Sequence, residues 1–73
     1  MKISYDKQAD ALYIHFREGQ FVCNKEVAEG VILDIGEHEC LLGIEILEAS
    51  SRFSLADLAR VEVLMPLEIA ATS

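Results

Sequence analysis

Five short runs of alternating or strongly apolar residues, joined by polar turns, constrain the fold of this chain more than any other feature. Alternation with a period of two is typical of β-strands that bury one face. Short turns between such runs favour antiparallel pairing of consecutive strands. The sequence therefore predicts an antiparallel β-meander, in which the third run is polar enough to lie at an edge. The predicted strands are Lys2–Tyr5, Ala11–Phe16, Phe21–Val27, Val31–Ile35 and Cys40–Leu47.

The C-terminal third of the chain predicts a short helix and one more strand. Ser54–Asp57 has the pattern of a helix start, a serine N-cap with an acid three residues later. The helix is expected over Leu55–Arg60, and alternation returns over Val61–Met65 as a last strand, which Pro66 ends. The tail Leu67–Ser73 is ambiguous and could be exchanged between subunits. The predicted fold class is α+β: an antiparallel meander of five to six strands with one short C-terminal helix.

Size and apolar content together predict self-association. The 73 residues suit one domain, with a β-meander core over 1–50 and the helix, last strand and tail over 51–73. A chain this short buries only about 60% of the surface that its unfolded form exposes, yet 52% of its residues are hydrophobic. The excess is expected in a subunit interface, so we predict a homodimer or a higher homo-oligomer.

The charge distribution bears on partners. The net charge is −7, and residues 21–51, with one lysine and seven acids, carry −6 of it. A nucleic-acid binder shows a basic footprint, so direct nucleic-acid binding is not expected. A small basic protein partner fits the charge, although acidity can also serve solubility alone.

Targeting signals and cysteine usage predict a cytoplasmic protein with no membrane association. Met1 leads directly into a polar strand, and no apolar run approaches the roughly 20 residues of a membrane span. Two cysteines do not make a disulfide scaffold. Reduced thiols are the expectation, although Cys23 and Cys40 could pair across a hairpin.

Three stretches resemble a known family of small, mostly bacterial proteins, the domain of unknown function 2283. Tyr5–Ile14 reads YDKQADALYI, Gly30–Asp34 reads GVILD, and Gly43–Ser50 reads GIEILEAS. The chain departs from the family at Glu39, where a turn glycine is usual, and at Glu48, where aspartate is common. Because a left-handed turn is less comfortable without glycine, the hairpin tip at Glu39 is expected to differ.

The resemblance implies no catalytic residue, since the function of the family is unknown. Some of its members are encoded beside small toxin-like proteins, which implies an antitoxin-like role. We therefore predict a non-enzymatic interaction module, and as the alternative a small-ligand or metal-binding protein or a minor enzyme. A third possibility is a purely structural oligomer.

Acidic residues give the candidate binding site. Tyr5, Asp6 and Asp10 surround one turn, and Asp34 and Glu45 are predicted on adjacent strands. Gathered carboxylates could bind a divalent cation or perform acid–base chemistry. The alternative is structural: the first two aspartates cap the turn, and the other acids pair with Tyr, Ser or Arg52. An acid-lined pocket would favour the ligand site, whereas an apolar face rimmed by acids would favour the interaction module.

Metal-ligand residue types occur without a metal-ligand spacing. His38 and Cys40 lie two residues apart on a turn, and Cys23 on the edge strand could approach them. No CxxC, HxxxH or HExxH pattern is present, and no cofactor is predicted. Gly43, inside an apolar strand, predicts a close backbone contact rather than a phosphate loop.

Overall fold

The computed structural model describes residues 1–66 as one five-stranded sheet followed by two single-turn helices. The strands are β1 (Lys2–Asp6), β2 (Ala11–His15), β3 (Phe21–Ala28), β4 (Val31–Gly36) and β5 (Leu41–Leu47). A 3₁₀ turn over Glu37–Glu39 joins β4 to β5, and helices α1 (Ala49–Arg52) and α2 (Leu55–Leu58) follow. The predicted exchangeable tail, Leu67–Ser73, lies outside the described residues. None of the helices in residues 1–66 is long and apolar enough to span a membrane.

The sheet has the order β1-β2-β5-β4-β3, and all neighbouring strands are antiparallel. The predicted antiparallel sheet with a short C-terminal helix is thus confirmed, although sheet dominates over helix. The expected pairing of β2 with β3 is wrong, because β5 lies between β2 and β4. The apolar run LLGIEIL of β5 suits the centre of a sheet, whereas the polar centre of β3 suits the edge that it was predicted to occupy.

Strand register divides the side chains between an apolar face and a polar face. Leu12 lies opposite Ile46, and Ile14 lies opposite Ile44, as the alternation of both strands predicted. Ile3 and Tyr5 of β1 lie opposite Ile14 and Leu12, so both side chains belong to the apolar face. The polar face carries Ser4, Tyr13, His15, Asn24, Asp34 and Glu45.

The C-terminal segment covers only part of the apolar face. Phe53, Leu58 and Val61 line a shallow hollow of about 200 Å³ together with Ile3, Leu12 and Ile14 of β1 and β2. The predicted capping box at Ser54 is confirmed: its hydroxyl accepts from the Asp57 N–H, and the Asp57 carboxylate accepts from the Ser54 N–H. The resulting helix ends at Leu58, earlier than predicted, and helix α1 was not predicted at all.

The last strand predicted over Val61–Met65 does not form in this chain. These residues have no regular secondary structure, and all of them are exposed. No backbone hydrogen bond connects them to another part of residues 1–66. Alternation alone does not make a strand, because a strand needs a neighbour to pair with.

The fully buried interior of the described chain is small. Leu42, which is 6% exposed, and Ala49, which is not exposed at all, are the buried apolar side chains of residues 1–66. Leu42 packs beneath Gly19 and Gly36, where the loop after β2 meets the end of β4. Most of the other apolar side chains of the sheet are only half-buried, as expected of a sheet with an incomplete second layer.

Candidate functional site

The turn between β1 and β2 uses its first aspartate as a backbone cap. The Asp6 carboxylate accepts from the N–H groups of Gln8 and Ala9, at 3.0 and 3.2 Å. This is the local bonding that makes aspartate common in turns. The structural interpretation of Asp6 is confirmed.

Asp10 ties this turn to the chain that leaves β5. One carboxylate oxygen accepts from the Tyr5 hydroxyl at 2.6 Å and from the Ser50 N–H at 3.0 Å, and the other accepts from the Ser50 hydroxyl at 2.7 Å. The Asp10 carbonyl also accepts from the Ala49 N–H. Asp10 adopts a left-handed conformation, with φ of 52°, which aspartate tolerates better than most residues. These contacts join the turn between β1 and β2 to Ala49 and Ser50, which follow β5. Both stretches belong to the sequences on which the family resemblance rests.

The hydrogen bonds that join Asp10 to Tyr5 and Ser50, which we call the Asp10 lock, shift the pKa values of Asp10 and Tyr5. The Tyr5 hydroxyl, followed by the Ser50 hydroxyl and N–H, holds the pKa of Asp10 below its ordinary value. The same bond raises the pKa of Tyr5, with smaller contributions from desolvation and the neighbouring acids. Asp10 is therefore an ionised structural acceptor, and its oxygens are occupied by the protein itself.

A second polar cluster lies at the centre of the polar face. The Tyr13 hydroxyl donates to one oxygen of Asp34 at 2.8 Å, and the Asn24 amide donates to the other at 2.9 Å. The bond to Asp34 raises the pKa of Tyr13, helped by desolvation. A Cβ on Gly43 would lie 2.6 Å from the Tyr13 hydroxyl oxygen, so glycine is needed for the tyrosine ring to cross β5. The close contact predicted for Gly43 is confirmed.

Glu45 and His15 flank this cluster without joining it. Glu45 is half-buried opposite Tyr13, and no hydrogen bond joins its carboxylate to any group of residues 1–66. His15 Nε2 is screened from solvent and lies 3.3 Å from a Glu18 carboxylate oxygen, but not in hydrogen-bonding geometry.

The acids predicted as a site divide into two separate groups. Asp6 and Asp10 lie at the β1–β2 turn, whereas Asp34 and Glu45 lie at the centre of the polar face. Arg52, expected to pair with one of these acids, instead donates to the carbonyls of Leu47 and Glu29.

The metal-ligand candidates do not gather either. Cys23 and Cys40 are free thiols. His38 is exposed on the 3₁₀ turn, and like Glu39 it has a positive φ. Among residues 1–66, no three His, Cys, Asp or Glu side chains converge as metal ligands would.

An open groove lies on the apolar side of β3 and β4. It has a volume of about 660 Å³. Its apolar floor and walls are Val22, Cys23, Val27, Leu33 and Ile35. We call this set the open groove.

Charged groups border the open groove. Lys25 lies along it on the edge strand, and Glu37 and Glu39 stand at the end where β4 turns into β5. Val27 is 51% exposed and Val22 is 57% exposed, although both belong to an apolar surface. The groove therefore combines an apolar lining with one lysine along its edge strand and two acids at one end.

Sequence reasoning did not identify the lining of the open groove. The alternation of β4 predicts that Leu33 and Val31 share one face of the sheet. It does not predict which part of that face is left uncovered, because this depends on the order of the strands. The high apolar content of so short a chain did predict an uncovered apolar surface. It did not show where on the sheet that surface would lie.

Comparison with known proteins adds a family and one partial relative. The model of the family described as "Protein of unknown function (DUF2283)" matches residues 2–50. A Methanosarcina mazei protein named "Putative hypoxanthine phosphoribosyltransferase" is 38% identical over 55 residues, which make up 75% of this chain. The chain spans 44% of the length of that protein. No solved structure matches.

Proposed function

We propose that this chain, which belongs to the DUF2283 family of proteins of unknown function, is a non-enzymatic interaction module that binds an apolar segment of a basic protein. The open groove is the proposed binding surface. The observation that carries the proposal is that residues 1–66 leave the apolar lining of this groove uncovered, whereas Phe53 and Leu58 cover the hollow over β1 and β2. Soluble proteins seldom leave a contiguous apolar surface open unless something binds there.

Charge favours a basic partner over a second copy of the chain. Glu37 and Glu39 stand at the end of the groove, and residues 21–51 carry a net charge of −6. Two copies meeting groove to groove would bring together two regions that each carry this net negative charge. Like charges in an interface oppose binding, whereas a basic segment would be attracted and oriented by the same field.

The carboxylates support this function better than the ligand-binding alternative. Asp10 and Asp34 have both carboxylate oxygens engaged by the protein's own hydroxyl, amide and N–H groups, and Asp6 has one oxygen engaged by two N–H groups. Such contacts stabilise the turn and the polar face. They compete with any cation or substrate for the same lone pairs.

The name of the Methanosarcina mazei relative suggests phosphoribosyl transfer for that protein. A phosphoribosyl group carries phosphate, and the acidic half of this chain would repel it. The function proposed here does not include that activity.

Site-specific photo-cross-linking in the native host tests the proposal. A photo-reactive residue at Val27 lies in the open groove, and the matched control at Ser4 is exposed on the opposite face. We expect the Val27 probe, and not the Ser4 probe, to give an adduct with a basic protein. Replacing both Glu37 and Glu39 with lysine should reduce the adduct several-fold.

Either of two outcomes would contradict the proposal. One is equal labelling from Val27 and Ser4, which would mean that the groove is not a selective surface. The other is an adduct only with a second copy of the chain, which would replace the basic partner with self-association.

A further inference from the structure

Val61–Met65 is an exposed segment without regular secondary structure, and it has the composition of a strand. The segment reads VEVLM, so Val61, Val63 and Met65 fall on one side, and Glu62 and Leu64 on the other. Val63 and Leu64 are 68% and 86% exposed. Its backbone N–H and C=O groups make no hydrogen bond within residues 1–66. Such a segment pairs readily with the free edge of a sheet.

The two edges of the sheet differ in how well they could accept such a segment. Edge strand β3 breaks register twice against β4, between Phe21 and Cys23 and between Glu26 and Ala28. Bulges of this kind protect an edge against pairing with another chain. Edge strand β1 pairs with β2 in five successive residues without a shift, so its outer edge is regular. It is also five residues long, the length of Val61–Met65.

The segment of the same chain is poorly placed to use this edge. Val61 lines the hollow over Ile3, Leu12 and Ile14, so it lies above the sheet rather than beside it. A packed layer stands about 10 Å above a sheet, and an extended residue advances about 3.3 Å. About three residues are needed to descend into the plane of the sheet, which leaves only two of the five for pairing.

We infer that Val61–Met65 of a second copy adds as a strand to β1, and that a two-fold dimer forms by reciprocal exchange of this segment. With Val61 and Val63 continuing the apolar face beside Ile3 and Tyr5, Glu62 falls on the polar face. In this register Glu62 lies beside Ser4 on the polar face of β1, with Lys2 and Asp6 on either side. This interface leaves the open groove free, so the inference stands independently of the proposed function.

Neighbouring proline substitutions test for backbone pairing. In a strand at a sheet edge, successive N–H groups point alternately toward and away from the neighbouring strand. One of Val63→Pro and Leu64→Pro should therefore weaken the dimer about tenfold through the lost hydrogen bond, and the other should be tolerated. Analytical ultracentrifugation of the full chain gives the dimer Kd. Circular dichroism checks that the sheet is retained, as expected for residues that make no hydrogen bonds in the monomer.

A substitution on the other edge of the sheet serves as the control. Lys25→Glu, on the bulged edge, is the matched control and should leave the Kd unchanged. A chain that stays monomeric at every concentration, or a dimer that both proline variants leave intact, would overturn the inference. Neither result would affect cross-linking from Val27, so the two proposals fail separately.

Discussion

The two halves of the apolar face carry similar side chains and end up in different states. Over β1 and β2, the isoleucines and leucine lie under Phe53 and Leu58. Over β4 and β3, Leu33 and Ile35 form the floor of an open groove. The composition of the strands does not explain this difference. The path of the chain after β5 explains it.

The chain leaves the sheet from its central strand and is held toward β1 and β2 from the start. The Ser50 backbone and hydroxyl bind Asp10 in the β1–β2 turn, and Ala49 packs with no exposed surface. Arg52 donates back to Leu47 and across to Glu29, beside the left-handed Gly30. These contacts set the direction of the chain before Phe53, so the cover falls on one half of the face.

The largest effect is expected at Leu42, which lies between the two halves. Leu42→Ala should lower the free energy of unfolding by about 2–5 kcal/mol, because a buried leucine loses its contacts and leaves a cavity. Urea unfolding gives the value. The adjacent Leu41→Ala is the control: Leu41 is 40% exposed, so its loss should be about 1 kcal/mol. Equal losses would mean that the chain has no central core.

A direct comparison of the halves comes from Phe53→Ala and Val27→Ala. Phe53 covers β1 and β2, and its partial exposure of 37% reduces the expected loss to about 1–2 kcal/mol. Val27 faces the open groove with no covering layer, so its replacement should change stability by about 0.5 kcal/mol or less. If the two variants lose the same stability in urea, the halves are equally covered and the distinction is wrong.

A smaller effect, an increase in the free energy of unfolding, is expected from a substitution at the end of the open groove. Glu39 has φ of 58°, in the position where the sequence departs from the usual turn glycine of its family. The chain was expected to avoid the left-handed conformation here, but Glu39 adopts it in place of the glycine. Glu39→Gly should raise the free energy of unfolding by about 0.5–1 kcal/mol, because glycine adopts positive φ without a steric penalty. Glu39→Ala removes the same charge and keeps the strain, so thermal unfolding should show no comparable gain.

The smallest effect is the pH dependence of the Asp10 lock, whose groups are partly in solvent. The pKa of Asp10 is lowered in the folded chain, so its contribution is complete above the ordinary value of 3.8 and is lost as the pH falls further. The raised pKa of Tyr5 has the opposite sign: its contribution is complete below 10.0 and is lost as the pH rises. Tyr5→Phe should flatten both limbs of a curve of stability against pH. Tyr13→Phe, on the polar face, should flatten the alkaline limb.

The local parts of this structure were predictable from sequence because they depend on neighbouring residues. Alternation located all five strands to within about a residue or two, and the Ser54 pattern located the start of α2. The turn role of Asp6 follows from bonds to residues two and three positions later. Gly43 signalled a close contact because little else explains a glycine in an apolar central strand.

The parts that failed depend on contacts distant in sequence. The insertion of β5 beside β2 carries no local signature, since either neighbour would satisfy the alternation of β2. Helix α1 is a single turn whose direction is set by Asp10, far earlier in the chain. Val61–Met65 has the pattern of a strand but no strand beside it among residues 1–66. The open groove depends on the first two of these features.

The central position of β5 also determines the order in which the molecule can mature during synthesis. The β1–β2 hairpin emerges first, but the strand that completes it is made only after β3 and β4. A two-stranded hairpin alone is marginally stable in water, whereas β3, β4 and β5 can pair locally as they appear. The first two strands of the sheet can therefore join the others only after β5 is made, and until then the inner edge of β2 has no strand beside it.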